Sequence, residues 1–299
     1  MILGFTINRL FPYGCILASA LCFSIMSVVG NYLSSYFNWI EIAYFRILPT
    51  FVLAVLMSFF YNGKILVVAS YSLWYRSIFG TFALLCTFYS LSRLHASEVV
   101  TLSATTPIWI SLIMIFIFSE KSSTILWLFV MMALVGVYIM EQPQFEKNYV
   151  GILVAFLGAI FTGLAMISLS FCGDITPVTV VSHYSLVSFV VLQILFFYIR
   201  GVEYTKVLTL LSEHFTLLVI LGVTGTLGQI LLTLAYGTGK PQWISIVGLS
   251  QVVFTAFGEI ILGRLNISLN LLIGMFIIII SVVGVIWNRY EKGKCSNFG

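Results

Sequence analysis

The sequence predicts an all-α membrane protein with ten transmembrane helices, arranged as two inverted repeats of five. Three observations lead to this fold class. Charged residues make up only 8% of the 299 residues, long apolar runs follow one another along the chain, and the second half repeats features of the first. Soluble domains carry roughly 25% charged residues. A chain of this composition must therefore perform its function within the membrane-spanning part.

The apolar runs have the length of membrane-spanning helices. A helix needs about 20 apolar residues to cross the hydrocarbon core of a bilayer. Continuous runs such as 45–60 and 271–287 lack the alternation of a transmembrane β-strand. Glycine, asparagine and proline separate the runs. The predicted spans are 13–31, 39–61, 75–94, 97–119, 123–141, 150–172, 176–199, 215–236, 243–263 and 268–288.

The basic residues predict the orientation of the helices. Ten helices place both termini on one side of the membrane. If the N-terminus is cytoplasmic, eight basic residues, with Arg76 among them, flank the helices on that side, and five flank them on the other. Cytoplasmic loops carry an excess of lysine and arginine. We therefore expect both termini to be cytoplasmic.

The second half of the chain resembles the first. Gly80 precedes a helix end that contains a tyrosine, and Gly225, about 145 residues later, also precedes a helix end that contains a tyrosine. Residues 134–137 recur as residues 282–285. Each half contains an odd number of predicted helices, so the second copy must be upside down relative to the first. The predicted units are residues 1–145 and residues 146–299, the latter ending in a short basic tail. Inverted repeats are typical of secondary transporters, although channels and membrane enzymes also contain repeats.

Several segments resemble a known family in their order and spacing. The chain is similar to the EamA-like branch of the drug/metabolite transporter superfamily over residues 12–140 and 150–288. One position departs from the family pattern: Arg264 follows Gly263 where an acidic residue is common, and Glu259 lies about one turn earlier. The resemblance implies that helices of both halves line a substrate cavity. The segments that carry it are 41–46 (EIAYFR), 88–91 (FYSL) with Ala96, Pro107, 118–121 (FSEK) and 221–229 (LGVTGTLGQ).

Ionisable residues within the apolar runs are candidates for function, because a charge at bilayer depth is costly. Arg46 is the clearest case, and it is expected either to brace another helix or to contact the substrate. Glu41 lies five residues earlier, a poor spacing for a direct pair on one helix. Glu41 and Glu259 are predicted to act in gating or in ion pairs. His183 could exchange a coupling proton or could be a buried, hydrogen-bonded histidine.

Ligand pockets are mostly apolar and aromatic, with a few placed polar groups. Each polar or aromatic residue near mid-helix therefore has two interpretations: it contacts the substrate, or it packs within the bundle or against lipid. The predicted substrate-binding residues are Arg46, Tyr89, Thr105, Trp109, His183, Gln229, Ser250 and Gln251.

The sequence contains no motif for catalysis. It has no metalloprotease, Walker or nucleophile-elbow pattern, so no catalytic residue is predicted. Its cysteines form no C-x-x-C pair, and neither a metal site nor a cofactor is expected. The basic residues are scattered rather than clustered, so nucleic acid is not an expected partner.

Together these features predict a secondary transporter, not an enzyme, in a bacterial inner membrane. It would move small organic metabolites, such as amino acids or related compounds, by alternating access. The expected partners are the lipid bilayer, the substrate, and a coupling proton or counter-substrate. Two alternatives stay open. Residues 41–46 also resemble transporters of S-adenosylmethionine, so the first alternative is a transporter of S-adenosylmethionine or nucleoside-like metabolites. The second is a non-transporting membrane scaffold, which would share this composition.

Overall fold

The computed structural model describes residues 10–60, 64, 70–94, 96–120, 122–142, 148–199 and 213–295, and no strand occurs within these ranges. Their helices are numbered here in chain order. They are α1 (Phe11–Leu33), α2 (Trp39–Phe60), α3 (Tyr71–Leu91), α4 (Ala96–Ser103), α5 (Thr106–Phe116), α6 (Thr124–Glu141), α7 (Tyr149–Ser170), α8 (Pro177–Ile199), α9 (Phe215–Thr238), α10 (Pro241–Gly248), α11 (Ser250–Ile261) and α12 (Leu269–Cys295).

Within the described residues, nine helical stretches are long and apolar enough to cross a membrane. Two of these stretches are built from consecutive helices, α4 with α5 and α10 with α11. The predicted span 75–94 corresponds to α3, which is 21 residues long but more polar because it contains Arg76, three tyrosines and several hydroxyl side chains. The all-helical membrane fold is therefore confirmed, whereas the count of ten transmembrane helices stays a prediction.

Two spans that were predicted as single helices are each broken near the middle. In span 97–119, α4 ends at Ser103 and α5 starts at Thr106, next to Pro107. Proline lacks an N–H group, so Pro107 cannot donate the hydrogen bond to the carbonyl of Ser103 that would continue α4. The Oγ1 atom of Thr105 donates to the carbonyl of Leu102 at 2.6 Å, a local bond that also competes with a regular helix.

The span 243–263 breaks at Leu249 without a proline. Here the N–H of Leu249 donates to the carbonyl of Ile246, and the N–H of Val252 donates to the carbonyl of Leu249. Both bonds join residues three apart, so the chain tightens locally into a 3₁₀-like turn. The break separates α10 from α11.

The helices pack in pairs that join the two halves of the chain. The extensive contacts are α3 with α7, α1 with α9, α6 with α12 and α2 with α8. Two smaller contacts also join the halves: α2 packs on α9, and α3 packs on α8. If the helices are matched by their order in each half, α1 with α7 and so on to α6 with α12, exchanging the matched helices leaves this set of contacts unchanged.

Glycines allow the backbones of α6 and α12 to approach closely. A Cβ atom on Gly274 would lie 2.5 Å from the carbonyl oxygen of Gly136 and 2.6 Å from the backbone nitrogen of Met140. Small residues permit such contacts between membrane helices, where packing rather than the hydrophobic effect drives association.

Candidate functional site: a central cavity with two buried arginines

A central cavity of about 330 Å³ lies between the two halves of the chain. Its walls come from α1 to α5 and from α7 to α11, so both halves contribute. Most wall residues are apolar or aromatic, as in known ligand pockets. The charged and larger polar side chains on the wall include Arg46, Arg76, Tyr184, Gln229, Tyr236, Gln251 and Glu259.

Arg76 of α3 is the most deeply buried charged residue on this wall, with 2% of its surface exposed. Its guanidinium carbon lies 4.6 Å from the centre of the Tyr184 ring, within the range of a cation–π contact. A Cβ atom on Gly80, one turn later on α3, would overlap Nη1 of Arg76. The Nε atom has no hydrogen-bond partner among the residues that the structure describes.

Arg46 of α2 reaches the same cavity and is 4% exposed. Its Nε atom lies 3.4 Å from the sulfur of Met26, a weak acceptor. The buried Nη1 atom finds no partner in the described part of the chain. A Cβ atom on Gly225 of α9 would lie 3.3 Å from Cγ of Arg46, so glycine leaves room for this side chain as well.

The charges of the two guanidiniums are not balanced by a direct ion pair. Their positive charges repel each other, and no acidic residue of the described ranges forms a salt bridge with either of them. Glu259 is the acidic residue on the cavity wall, and its charge interacts with Arg264. Glu41 accepts a hydrogen bond from the backbone N–H of Asn38 at 2.7 Å. This arrangement can attract and hold an anion.

Four of the residues predicted from the sequence meet at this cavity: Arg46, Gln229, Gln251 and Glu259. The side chain of Gln229 is 3% exposed, and its Nε2 atom lacks a hydrogen-bond partner within the described ranges. An unpaired buried donor costs free energy, so it favours a ligand that accepts a hydrogen bond. Gln229 therefore adds a neutral donor to the two guanidiniums.

Three aromatic or histidine residues predicted for the site lie away from the cavity wall. Tyr89 packs edge to face on Trp39, with ring centres 5.6 Å apart. Trp109 packs edge to face on Phe156, with ring centres 5.1 Å apart. The Nδ1 atom of His183 lies 2.8 Å from the hydroxyl of Ser77, and this histidine is fully buried.

The remaining predicted residues also lie outside the wall. Thr105 accepts a hydrogen bond from Nε1 of Trp109 at 3.2 Å. Ser250 is buried next to the break between α10 and α11. Glu41 is buried in the first turn of α2. The buried hydroxyl of Ser250 has no hydrogen-bond partner within the described ranges. A role of these three residues in transport stays a prediction.

The sequence prediction missed Arg76, Tyr184 and Tyr236 as wall residues. Arg76 was counted among the cytoplasmic flanking charges because it was the second residue of the predicted span 75–94. The helix in fact begins at Tyr71, which moves Arg76 one turn into α3. The available signal was Gly80, four residues later and therefore on the same helix face.

A second cavity of about 310 Å³ lies where α1 ends and α2 begins, and it includes Asn38, Trp39 and Arg93. Gly30, Phe88 and Leu91 line both cavities. The central cavity therefore approaches the surface at this end of the bundle.

Both helix breaks lie on the wall of the central cavity. Ala104 and Pro107 line it at the first break, and Gly248 and Leu249 line it at the second. The short helices α4 and α10 are each eight residues long. Their first residues, Ala96 and Pro241, are 145 positions apart in the sequence, as are Gly80 and Gly225.

Comparison with known proteins agrees with this architecture. Residues 10–141 match the EamA-like transporter family. The resemblance noted in the sequence is thereby confirmed over these residues, and it is consistent with the drug/metabolite transporter superfamily. Together with the nine apolar membrane-length helices in the described ranges, this match supports an integral membrane protein and membrane transport as its class of function.

Two relatives come from Helicobacter pylori, and both are named uncharacterized transporter. The protein of strain J99 is 26% identical over 285 residues, covering 91% of this chain and 93% of the relative. The protein of strain 26695 is 25% identical over the same coverage. A solved crystal structure has a TM-score of 0.70 at 13% identity, covering 89% of this chain and 94% of that chain. The structural similarity concerns the fold alone.

Proposed function

We propose that the protein is a secondary transporter that moves small organic metabolites, such as amino acids or related compounds, across a bacterial inner membrane. The observation that carries this proposal is the central cavity, which has walls from both halves of the chain and a broken helix from each half. Transporters with inverted repeats bind substrates between the repeats, at discontinuous helices. The Helicobacter pylori relatives, named as transporters, agree with it.

The contacts between helices support a two-fold relation between the halves, and an odd number of predicted helices in each half would make that relation an inverted repeat. A two-fold relation that packs α1 on α9 also packs α7 on α3, and it is consistent with α2 against α8 and α6 against α12. These are the extensive contacts of the bundle. Rocking of one half against the other would then expose the cavity to each side in turn, with both termini in the cytoplasm.

The two buried arginines weigh against S-adenosylmethionine as the substrate. Its sulfonium and amino groups are positively charged, and Arg46 and Arg76 already carry two positive charges on the wall. Like charges at close range in a low-dielectric site repel strongly. A scaffold function would give these unpaired guanidiniums no ligand.

Flux in proteoliposomes tests the proposal. The purified protein is reconstituted, loaded with a metabolite panel, and assayed for counterflow of each labelled compound. We expect saturable uptake of at least one small metabolite that empty liposomes do not show. A non-transporting scaffold would give no protein-dependent flux with any member of the panel, provided that the reconstituted protein is folded by circular dichroism.

A further inference from the structure

We propose that Arg46 and Arg76 together form the anchoring point for an organic acid that carries two carboxylates. This inference deepens the proposed function and rests on it, because it names the substrate class of the same cavity. It starts from two buried cations that face one cavity and have no protein counter-charge within the described residues.

The energetic argument begins with the cost of burying charge. A guanidinium taken out of water needs a partner, and an unpaired one is strongly unfavourable. Both side chains are over nine-tenths buried, and each has a buried N–H group without an acceptor. Their mutual repulsion adds to this cost. Binding of an anion removes both penalties, so the site selects for negative charge.

The number of carboxylates follows from the way the arginines are held. Arg46 extends from α2 beside Gly225, and Arg76 extends from α3 across Gly80 and the Tyr184 ring. The guanidiniums thus have separate supports on different helices. Each planar fork can bind one carboxylate through two parallel hydrogen bonds. A dicarboxylate neutralises both charges, whereas a monocarboxylate leaves one unmatched.

The surrounding wall fits the carbon chain of such an acid. Phe23, Leu84 and Phe88 provide apolar surface, and the volume of about 330 Å³ lies within the range of small-molecule sites. Gln229 offers a further donor from α9. Glu259 also faces the cavity, but it forms no ion pair with Arg46 or Arg76 within the described residues.

Binding to the protein in lipid nanodiscs tests the inference independently of flux. The probes are malonate, succinate and glutarate, with succinamide, leucine and inorganic phosphate as comparisons. We expect saturable binding of at least one dicarboxylate and none of succinamide, its uncharged analogue. Arg46→Gln and Arg76→Gln should each weaken dicarboxylate binding roughly tenfold to a hundredfold, as expected for loss of a charged hydrogen bond.

Arg93→Gln is the matched control. Arg93 also lies over a tyrosine ring, at 5.6 Å from the centre of Tyr89, but it is exposed and lies outside the central cavity. We expect dicarboxylate affinity to be unchanged in this variant. If an Arg→Gln variant misfolds, the selectivity of the wild-type protein for succinate over succinamide still decides the question.

Several results would overturn the inference. These are the absence of saturable binding by any of the three dicarboxylates, tighter binding of leucine or phosphate than of every dicarboxylate, and equal dicarboxylate affinity in folded Arg→Gln variants. Failure of the transport function has a different signature, because it would abolish flux in liposomes while leaving dicarboxylate binding in nanodiscs intact. Conversely, flux of a neutral metabolite without dicarboxylate binding would retain the transporter and reject this substrate class.

Discussion

The guanidinium of Arg76 lies so close to Gly80 that a Cβ atom on Gly80 would overlap its Nη1 atom. Four residues separate the two positions on α3, so the arginine side chain passes directly over the glycine. A Cβ atom there would also lie 3.0 Å from Cε2 of Tyr184, the ring over which the guanidinium rests. Gly80 thus sets the position of Arg76 in the cavity.

Gly80→Ala should weaken dicarboxylate binding about tenfold or more, because the added methyl group displaces the guanidinium from its position over Tyr184. The measurement is a binding titration in nanodiscs. Gly14→Ala is the matched control, since a Cβ atom on Gly14 has nothing within 4 Å. Equal affinity of the two alanine variants would show that Gly80 does not position Arg76.

Arg76→Met separates a substrate contact from a structural brace. Loss of the cation–π contact costs up to about 2 kcal/mol, but removal of an unpaired buried charge gains a similar amount or more. We therefore expect the ligand-free variant to be as stable as the wild type or up to about 2 kcal/mol more stable. A brace would instead lose about 3 to 5 kcal/mol. Thermal unfolding in detergent without added anions measures the difference.

Arg289→Met serves as the comparison for this experiment. Arg289 lies 5.3 Å from the centre of the Trp243 ring and interacts with Tyr13. Because this arginine has protein partners, its replacement should lower the melting temperature. A drop of the same size for Arg76→Met would identify Arg76 as a brace.

The buried hydroxyls of Thr50 and Thr226 join α2 to α9 at 3.0 Å. Each hydroxyl can also donate to a carbonyl of its own helix, Thr50 to Arg46 and Thr226 to Gly222. A hydroxyl has one proton, so these bonds compete with the contact between the helices. We expect a double-mutant cycle with Thr→Val changes to give a coupling of about 0.6 kcal/mol.

Thr224 provides the control for that cycle, because its hydroxyl donates to the carbonyl of Ile220 on the same helix. The pair Thr50–Thr224 should show no coupling beyond experimental error. A coupling above about 2 kcal/mol for Thr50–Thr226 would contradict the competition described above.

Gly274→Ala should destabilise the protein without changing ligand affinity. The methyl group would meet backbone atoms of Gly136 and Met140, so α6 and α12 must separate. We expect a loss of about 1 to 3 kcal/mol, typical of overpacking. Since neither helix lines the cavity, the dissociation constant of the folded variant should equal that of the wild type. A changed dissociation constant would mean that this helix pair is coupled to the site.

How far the sequence predicted the site depended on where each residue lay in its helix. Arg46 was recognised because it lies inside an apolar run, where a charge is conspicuous. Arg76 was missed because it lay at the boundary of a predicted span, and helix boundaries are the least reliable part of a sequence prediction. The missing information was the position of the first helical residue.

The helix breaks illustrate a second limit. Pro107 signalled the break between α4 and α5, whereas no residue near Leu249 marks the break between α10 and α11 as clearly. Residues such as His183 and Tyr89 lie in helices as predicted, but which face each presents depends on packing between helices. Hydrophobic periodicity is weak in helices that are apolar on every side.

Alternating access to the central cavity is the main claim, and labelling of a cysteine at Ser245 tests it most directly. Ser245 lines the cavity and is 5% exposed. Ser245→Cys is introduced after replacement of the five native cysteines. Ser281 is buried between α12 and α6, so Ser281→Cys is the control.

Membrane-impermeant thiol reagents are applied to right-side-out and inside-out vesicles. The account predicts that the cysteine at 245 reacts from both sides and that the one at 281 reacts from neither. Reaction at 245 from only one side under all conditions, or from neither side, would contradict it.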